Sequence, residues 1–574
     1  MSNETKIPLF RRFVIQNFPY IEQDFDALTD YQLASKVVEY LNMVIEQTNQ
    51  STEQVAVLTD SFNQLKDYVD HYFDNLDVQE EINNKLDAMV QDGTMASLID
   101  PILTEFEAEI RAEVSTIGDV TDLETVNKNT VVAGVNCANE NYSGLWRTKY
   151  GNGFKAIDLS QDIDFIKNNI TIYKDNYNNT YSYFCDLNKH KNTGGSILYV
   201  DPLTDVPAGE QDGTEAKPYS KVSLAYNASS DGDTISLSDG FYDRTATGNF
   251  NLTKSINIVA KSGVKNKVFC SMSDTLSWTQ NATYENVYQT TRSNIKFVID
   301  IRNRNKDIFP MLTQTDSLEN CAATLYSYYK SGSSVYVNIG EAVTNDKIAI
   351  TLQVGASFRI TNNESNVNVY FENITFLGGS AGFVSVTESD GYDCKFVAKG
   401  CNFYYASGDY DALPIQGADS ILEDCKACYG GKDGFNYHAV NSIHCNSIEI
   451  NCLASNNGLN RQTGTENGST THAGNKILRF GGVYFNNFGA NVCDVGVDTV
   501  SINIECTSFD SVANSGSVKS DFNAQQAGTT MYIYNGHCKG SKSSYNLQSA
   551  TDCVLEVYNT PYDSKGGNGT INIH

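Results

Sequence analysis

The feature that most constrains this chain is a repeat. From Phe371 onward, short runs of β-branched and aromatic residues return at near-regular intervals. Asn373, Cys401, Asp424, Asn451, Gly482, Cys506, Gly536 and Asn559 align as equivalent positions, separated by 28, 23, 27, 31, 24, 30 and 23 residues. Gly-, Asn- and Asp-rich turns close the runs, which lie too far apart to pair as tight hairpins. A propeller blade needs four strands per repeat, and these repeats are too short for four. The spacing fits one coil of a solenoid, with loop length absorbing the variation and each coil advancing by about 4.8 Å. Like residues then stack on like. Cys401, Cys425, Cys452 and Cys506 therefore read as a ladder of small, buried, reduced thiols rather than as disulfide partners. Cys425-Lys426-Ala427-Cys428 is a lone CxxC without a second pair at zinc spacing.

Charge narrows the partners. Lys and Arg total 41 against 69 Asp and Glu, a net charge of −28 over 574 residues. Such a surface repels nucleic acid and anionic membranes, so neither nucleic-acid binding nor membrane insertion is expected. No run of eighteen apolar residues offers a membrane span. Residues 1–20 lack the apolar core and cleavage site of a signal peptide, which predicts assembly in a cytoplasm.

Taken in order, residues 1–30 open with Ile7-Pro8-Leu9-Phe10 and Phe13-Val14-Ile15, broken by Pro19, a short docking segment. Residues 31–118 read as a helical stalk. Ala34, Val37, Leu41, Val44, Thr48, Ser51, Val55, Leu58, Phe62, Leu65, Val69, Tyr72 and Leu76 alternate in steps of three and four, the coiled-coil signature. At 1.5 Å per residue the rod would reach roughly 60 Å, and large Phe62 and Tyr72 in its seam favour a trimer. Residues 119–195 read as a small β-rich connector, and residues 196–574 as the solenoid.

The solenoid's opening carries Ile197-Leu198-Tyr199-Val200, Asp212-Gly213-Thr214, Gly232-Asp233-Thr234-Ile235, Gly240-Phe241-Tyr242 and Ser255-Ile256-Asn257-Ile258. This order resembles the first turns of right-handed parallel β-helix proteins of the pectate-lyase-like class. The resemblance implies a short helix near 219–229 that caps the open end. Residues 262–365 fit the coil pattern poorly, which predicts loops interrupting it. Two further stretches, Ile7-Pro8-Leu9-Phe10-Arg11-Arg12-Phe13-Val14-Ile15-Gln16-Asn17-Phe18-Pro19 and Tyr72-Phe73-Asp74-Asn75-Leu76-Asp77-Val78-Gln79-Glu80-Glu81-Ile82-Asn83-Asn84-Lys85-Leu86-Asp87, resemble virion-proximal regions of tail fibres, spikes and appendages of tailed bacteriophages of Gram-positive bacteria. That resemblance implies a homotrimer held by its N-terminus to tail or collar proteins of the virion, assembled in the host cytoplasm. It would present the β-helix to a host polysaccharide or teichoic acid. The fold class expected is mainly β, a right-handed parallel β-helix behind an α-helical coiled-coil stalk. A bacterial cell-surface enzyme or adhesin is a further reading, one that a secretion signal would favour.

Two chemistries remain open, binding and cleavage. Sugar binding needs aromatic faces beside amides and carboxylates, which 34 tyrosines and abundant Asn supply anywhere. Cleavage needs two carboxyl groups about 5–5.5 Å apart when retaining and 6.5–9.5 Å when inverting. Asp409 falls eight residues after its reference position and Asp433 nine after, so the two would sit about one coil apart and raise one pKa. The plain alternative is that both make turns, as Asp433-Gly434 commonly does. A second constellation, Asp433, His438, Glu449, His472 and Asp494, falls on successive coils beside the long loop 456–475. Tyr410, Tyr437, His438 and Glu466 are the candidate ligand contacts. Without an Asp-x-Asp-x-Asp-Gly loop, no metal or cofactor is assigned.

Overall fold

The computed structural model describes residues 154–574, apart from 158–162, 176–179, 248–249, 262–267, 272, 303–308, 353–357, 362–364, 380–383, 388–392, 407–409, 460–465 and 513–519. The expected attachment segment, the stalk with its trimer seam, and Asp409 lie outside the described residues.

Three parallel sheets carry the described chain. Sheet I has twelve strands, from Ile197–Val200 to Thr570–Ile573. Sheet II has eight, from Phe241–Tyr242 to Thr507–Phe509, and sheet III has ten, from Phe250–Leu252 to Lys565–Gly566. The chain visits I, II and III in turn and then pairs in parallel with its own previous coil. Val367–Glu372 lies on Cys394–Lys399, for example, and that strand on Asp419–Glu423. The result is a right-handed-type parallel β-solenoid of about ten turns.

The sharp corner from sheet I to sheet II explains the repeat. Asn373, Gly400, Asp424, Asn451, Gly481, Glu505, Asn535 and Asn559 all have φ between 46° and 64°, and lie 27, 24, 27, 30, 24, 30 and 24 residues apart. Gly, Asn and Asp reach that left-handed region at least cost. Each corner N–H from Asn373 to Asn535 donates to the last carbonyl of the sheet I strand on the next coil, as Asn373 does to Lys399. A Cβ on Gly400 would stand 2.5 Å from Asn373 Oδ1, so the corner is also crowded. The sequence alignment mixed two columns: Cys401, Gly482, Cys506 and Gly536 each follow the corner by one residue. That second column points inward. Cys425, Cys452 and Cys506 donate their thiols to Ala398, Leu422 and Arg479 carbonyls of the preceding coil at 3.3–3.5 Å. Burial pushes all three thiols up.

The expected interruption exists. Between Val268–Ser271 of sheet II and Phe358–Thr361 of sheet III, the chain leaves the solenoid for a five-stranded sheet and an antiparallel pair, Ile295–Asp300 with Ile348–Leu352. Val298, Val335, Val337, Ile350 and Leu352 give this excursion its own core. The helix Val222–Ala228 buries Val222, Ala225 and Tyr226 against Val200 and Ile235 of the first coils, as a cap does. The described part of the connector covers apolar surface. Ile166, Ile170, Ile172, Tyr181 and Leu187 bury the outward side chains Tyr370, Val397, Ile421, Ile448, Leu478 and Ile502 of sheet I. Both faces of that sheet are thus covered, which is why a strand such as Val367–Glu372, with Val367, Val369 and Phe371 inward, carries buried Tyr370 on the outward face too.

Candidate functional site

Strand parity decides which sequence candidates can meet a ligand. In sheet III, Leu413, Ile415, Phe435, Tyr437, Val492, Phe522 and Leu547 point into the core. Their neighbours Pro414, Asn436, Thr470, Cys493, Asn523 and Gln548 stack in register on the outward face. His438 and His472 stand beside them on the same face, their rings stacked at 3.9 Å and 12°.

The constellation expected from sequence is therefore split by the sheet. Asp433, His438 and His472 lie outside the lumen, Asp433 buried among loops and the two histidines half-buried. Tyr437, Glu449 and Asp494 lie inside and have no exposed surface, which corrects their assignment to ligand contact and catalysis. A shift of one residue along a strand reverses the face, and loop lengths hid that parity. Within the lumen Glu449 accepts from Tyr437 at 2.9 Å, Ser469 at 2.7 Å and Tyr484 at 2.6 Å. Arg479 pairs with Asp494 at 3.0 Å, stands 3.9 Å from Glu449, and donates to Ser469, Thr471 and Asn503. Burial opposes the guanidinium's charge, but Asp494 and Glu449 outweigh it and hold the arginine firmly protonated.

A carboxyl pair does form outside the lumen, between Asp411 and Asp433, both buried among the loops. The loop 405–412 is two residues longer than 429–434, and both aspartates stand two residues before a sheet III strand. The match is legible only when counted back from that strand. Asp411 Oδ1 accepts from the Asp433 N–H at 3.1 Å and its Oδ2 from Asn436 at 2.8 Å. Asp433 Oδ1 accepts from the Asn467 N–H at 2.6 Å, and Asn467 Oδ1 from the Ala490 N–H at 2.9 Å. The three side chains form a ladder that ties four loops together. Burial, then Asp411, pushes the Asp433 carboxyl up to about 8, against Lys432 at 3.5 Å. Glu466, itself buried, adds to the rise. Burial, His438 and Lys432 push His472 down to about 3, and burial pushes His438 down as well. These shifts favour the protonated, uncharged carboxyl of Asp433 and the uncharged imidazoles of His438 and His472. Tyr410 stands at the rim, 57% exposed.

The outward face has one further property. Asp433 Oδ2, Asn436 Oδ1, Thr470 Oγ1, His472 Nε2, Asn523 Oδ1 and Gln548 Oε1 are shielded from solvent and make no hydrogen bond with protein groups. Four of them, on Asn436, Thr470, Asn523 and Gln548, belong to one file that runs along the solenoid, broken by Cys493. At the other edge of sheet III, Lys189, His190, Lys395, Asp419 and His444 line a cleft of ≈ 560 Å³.

No family model and no curated protein matches the chain. Among solved structures it is similar to XylC in complex with xylose, at 10% identity and a TM-score of 0.33, spanning 66% of this chain and 70% of that one. It is also similar to pectate lyase Pel9A (15% identity, TM-score 0.27, 66% and 81%). A third likeness is to GH136 lacto-N-biosidase from Eubacterium ramulus (9%, TM-score 0.27, 66% and 68%).

Sequence reasoning missed Asp411 as the partner of Asp433, and with it Asn436, Thr470, Asn523 and Gln548. The available signal was position relative to the following strand. Asn436 and Thr470 each precede an inward aromatic or β-branched residue, so alternation placed them outward once the strand bounds were known.

Proposed function

We propose that this protein is a bacteriophage tail fibre or appendage whose solenoid binds a host-surface glycan during adsorption, along the outward face of sheet III. The observation that carries the binding part is the half-buried, stacked imidazole pair of His438 and His472 on that face, with exposed Tyr410 at its rim. A polyhydroxylated chain packs the C–H faces of its rings on such aromatic side chains, while its hydroxyls reach the imidazole nitrogens and the tyrosine hydroxyl. A net charge of −28, with burial pushing Asp433, His438 and His472 towards their uncharged forms, favours an uncharged glycan over the phosphates of a teichoic acid. The virion, trimer and host parts of the proposal rest on the sequence resemblance of residues 7–19 and 72–87.

Cleavage of the same polymer is the second reading, and the Asp411–Asp433 pair favours it. A carboxyl group protonated at neutral pH beside another carboxyl group is the arrangement of an acid and a base. The test is incubation of the full chain with purified wall and capsular polysaccharides of Gram-positive bacteria, followed by co-sedimentation and sizing of the products. Retention that is lost in Tyr410→Ala and His438→Ala supports the binding face, and no retention of any polymer overturns it. Shortening that Asp433→Asn abolishes supports cleavage. Retention without shortening removes it for that polymer.

A further inference from the structure

Phe485 and Phe509 face outward from sheet II on adjacent coils, in register, with ring centroids 5.0 Å apart and planes only 1° from parallel. Such a stack invites another rung, but the next coil does not supply it. Beyond Phe509, sheet II gives way to a single bridge, Thr507 with His537, after which the chain turns off through Lys539-Gly540. Register places Lys539 where the next aromatic would stand. There a cleft of ≈ 440 Å³ opens, lined by Phe509, Asp510, His537, Lys539, Ser541 and Pro561 among others. Among the described residues, Phe485 is the one ring stacked on Phe509.

The cleft's polar rim is uncommitted. His537 and Lys539 are exposed and make no side-chain hydrogen bond or ion pair. Asp510 uses Oδ1 to accept from the Lys542 N–H at 2.7 Å, which leaves Oδ2 for a ligand. An aromatic face bordered by one carboxylate oxygen, one imidazole and one ammonium matches a pyranose ring. Its axial C–H bonds pack on the ring's electron-rich face, while its equatorial hydroxyls reach donors and acceptors at the rim. We infer that this cleft is a saccharide subsite in which one sugar ring stacks on Phe509 and continues the Phe485–Phe509 column. The site stands on sheet II and shares only its ligand class with the face of sheet III proposed above.

The test is saturation-transfer NMR on the full chain with methyl β-D-galactopyranoside, methyl β-D-glucopyranoside and N-acetyl-D-glucosamine as probes. The expected result is transfer to ring C–H protons of at least one probe, weakened about tenfold or more in apparent affinity by Phe509→Ala and kept by Phe509→Trp. No transfer from any of the three, or equal transfer in Phe509→Ala, overturns the site. If Phe509→Ala also lowers the unfolding midpoint, His537→Ala and Lys539→Ala at exposed positions decide: reduced transfer supports the site and unchanged transfer overturns it. Tyr410→Ala leaves this signal intact, so a failure here and a failure of the sheet III face are told apart.

Discussion

The phenylalanine-rich coils and the middle coils of one solenoid solve the same packing problem with opposite chemistry. In the first, Phe358, Phe371, Phe376, Phe396 and Phe403 fill the lumen, their centroids 5.4–6.3 Å apart. In the middle coils the equivalent inward positions of sheet I are Ser447 and Glu449, then Ile477 and Arg479, then Ser501 and Asn503, before Met531 and Ile533 return to apolar packing. An aromatic lumen tolerates a slipped coil, because one apolar side chain meets another wherever it lands. The polar lumen does not. Only one register seats Arg479 between Glu449 and Asp494, and any slip leaves charges buried without partners. The difference teaches that the polar coils specify register while the apolar coils supply bulk cohesion. The coils that carry Asp433, His438 and His472 on their outside are the ones whose inside is so specified.

The largest expected effect comes from breaking the polar lumen. Arg479→Met leaves two carboxyl groups buried without their cation and should lower unfolding free energy by about 3–5 kcal/mol. Hydrogen exchange should rise in residues 446–509 and stay unchanged in 250–260 and 367–377, because a solenoid transmits stability mainly between neighbouring coils. A loss spread evenly over all coils would contradict the comparison. Replacing Glu449, Arg479 and Asp494 together by Leu, Met and Leu should cost less than the single change, with looser register rather than unfolding as its mark. Next comes Asn487→Ala. Asn487 donates to Ala454 O at 3.1 Å and accepts from Asn457 at 2.9 Å, so its loss should cost about 1–3 kcal/mol in denaturant titration. In the apolar coils Ile258→Val should cost about 0.5–1.5 kcal/mol, the smallest of the three stability changes.

The pH dependence of stability sharpens the comparison on the outer face. The Asp433 carboxyl sits at about 8 in the folded protein against an ordinary 3.8, so the folded state keeps a proton that the unfolded state has released. Stability therefore falls as pH rises from about 4 to 8, and Asp433→Asn should flatten that limb. His472 has the opposite sign. At about 3 against an ordinary 6.5, it refuses a proton that the unfolded chain accepts, so stability falls as pH drops from 6.5 towards 3. His472→Gln should flatten the acid limb alone. Thermal midpoints across both ranges check the two signs, and a limb unchanged by its variant would remove that group from the account.

Much of the fold was legible because a solenoid writes its period into the sequence. The corners demand a left-handed residue, and Asn373, Asp424, Asn451 and Asn559 announce them; Glu505 does not, and its corner was located by the inward cysteine beside it. The break at 262–365 was visible as lost periodicity, though not as an antiparallel excursion with its own core. The candidate site was harder to read. Asp433, His438 and His472 were found on residue type, but Asp411 was displaced by a two-residue difference between loops. Tyr437, Glu449 and Asp494 were placed on the wrong side of a sheet.

What the sequence determined alone was the local grammar: coil length, corner chemistry, the reduced cysteine column and the acidic surface. Each follows from what one residue or one strand requires of its own backbone and solvent. What the tertiary structure decided was facing: which carboxyl groups share a guanidinium in the lumen and which line the outside. Facing depends on where each strand begins after a loop of free length, and a single residue of uncertainty there exchanges the inside of the molecule for its surface.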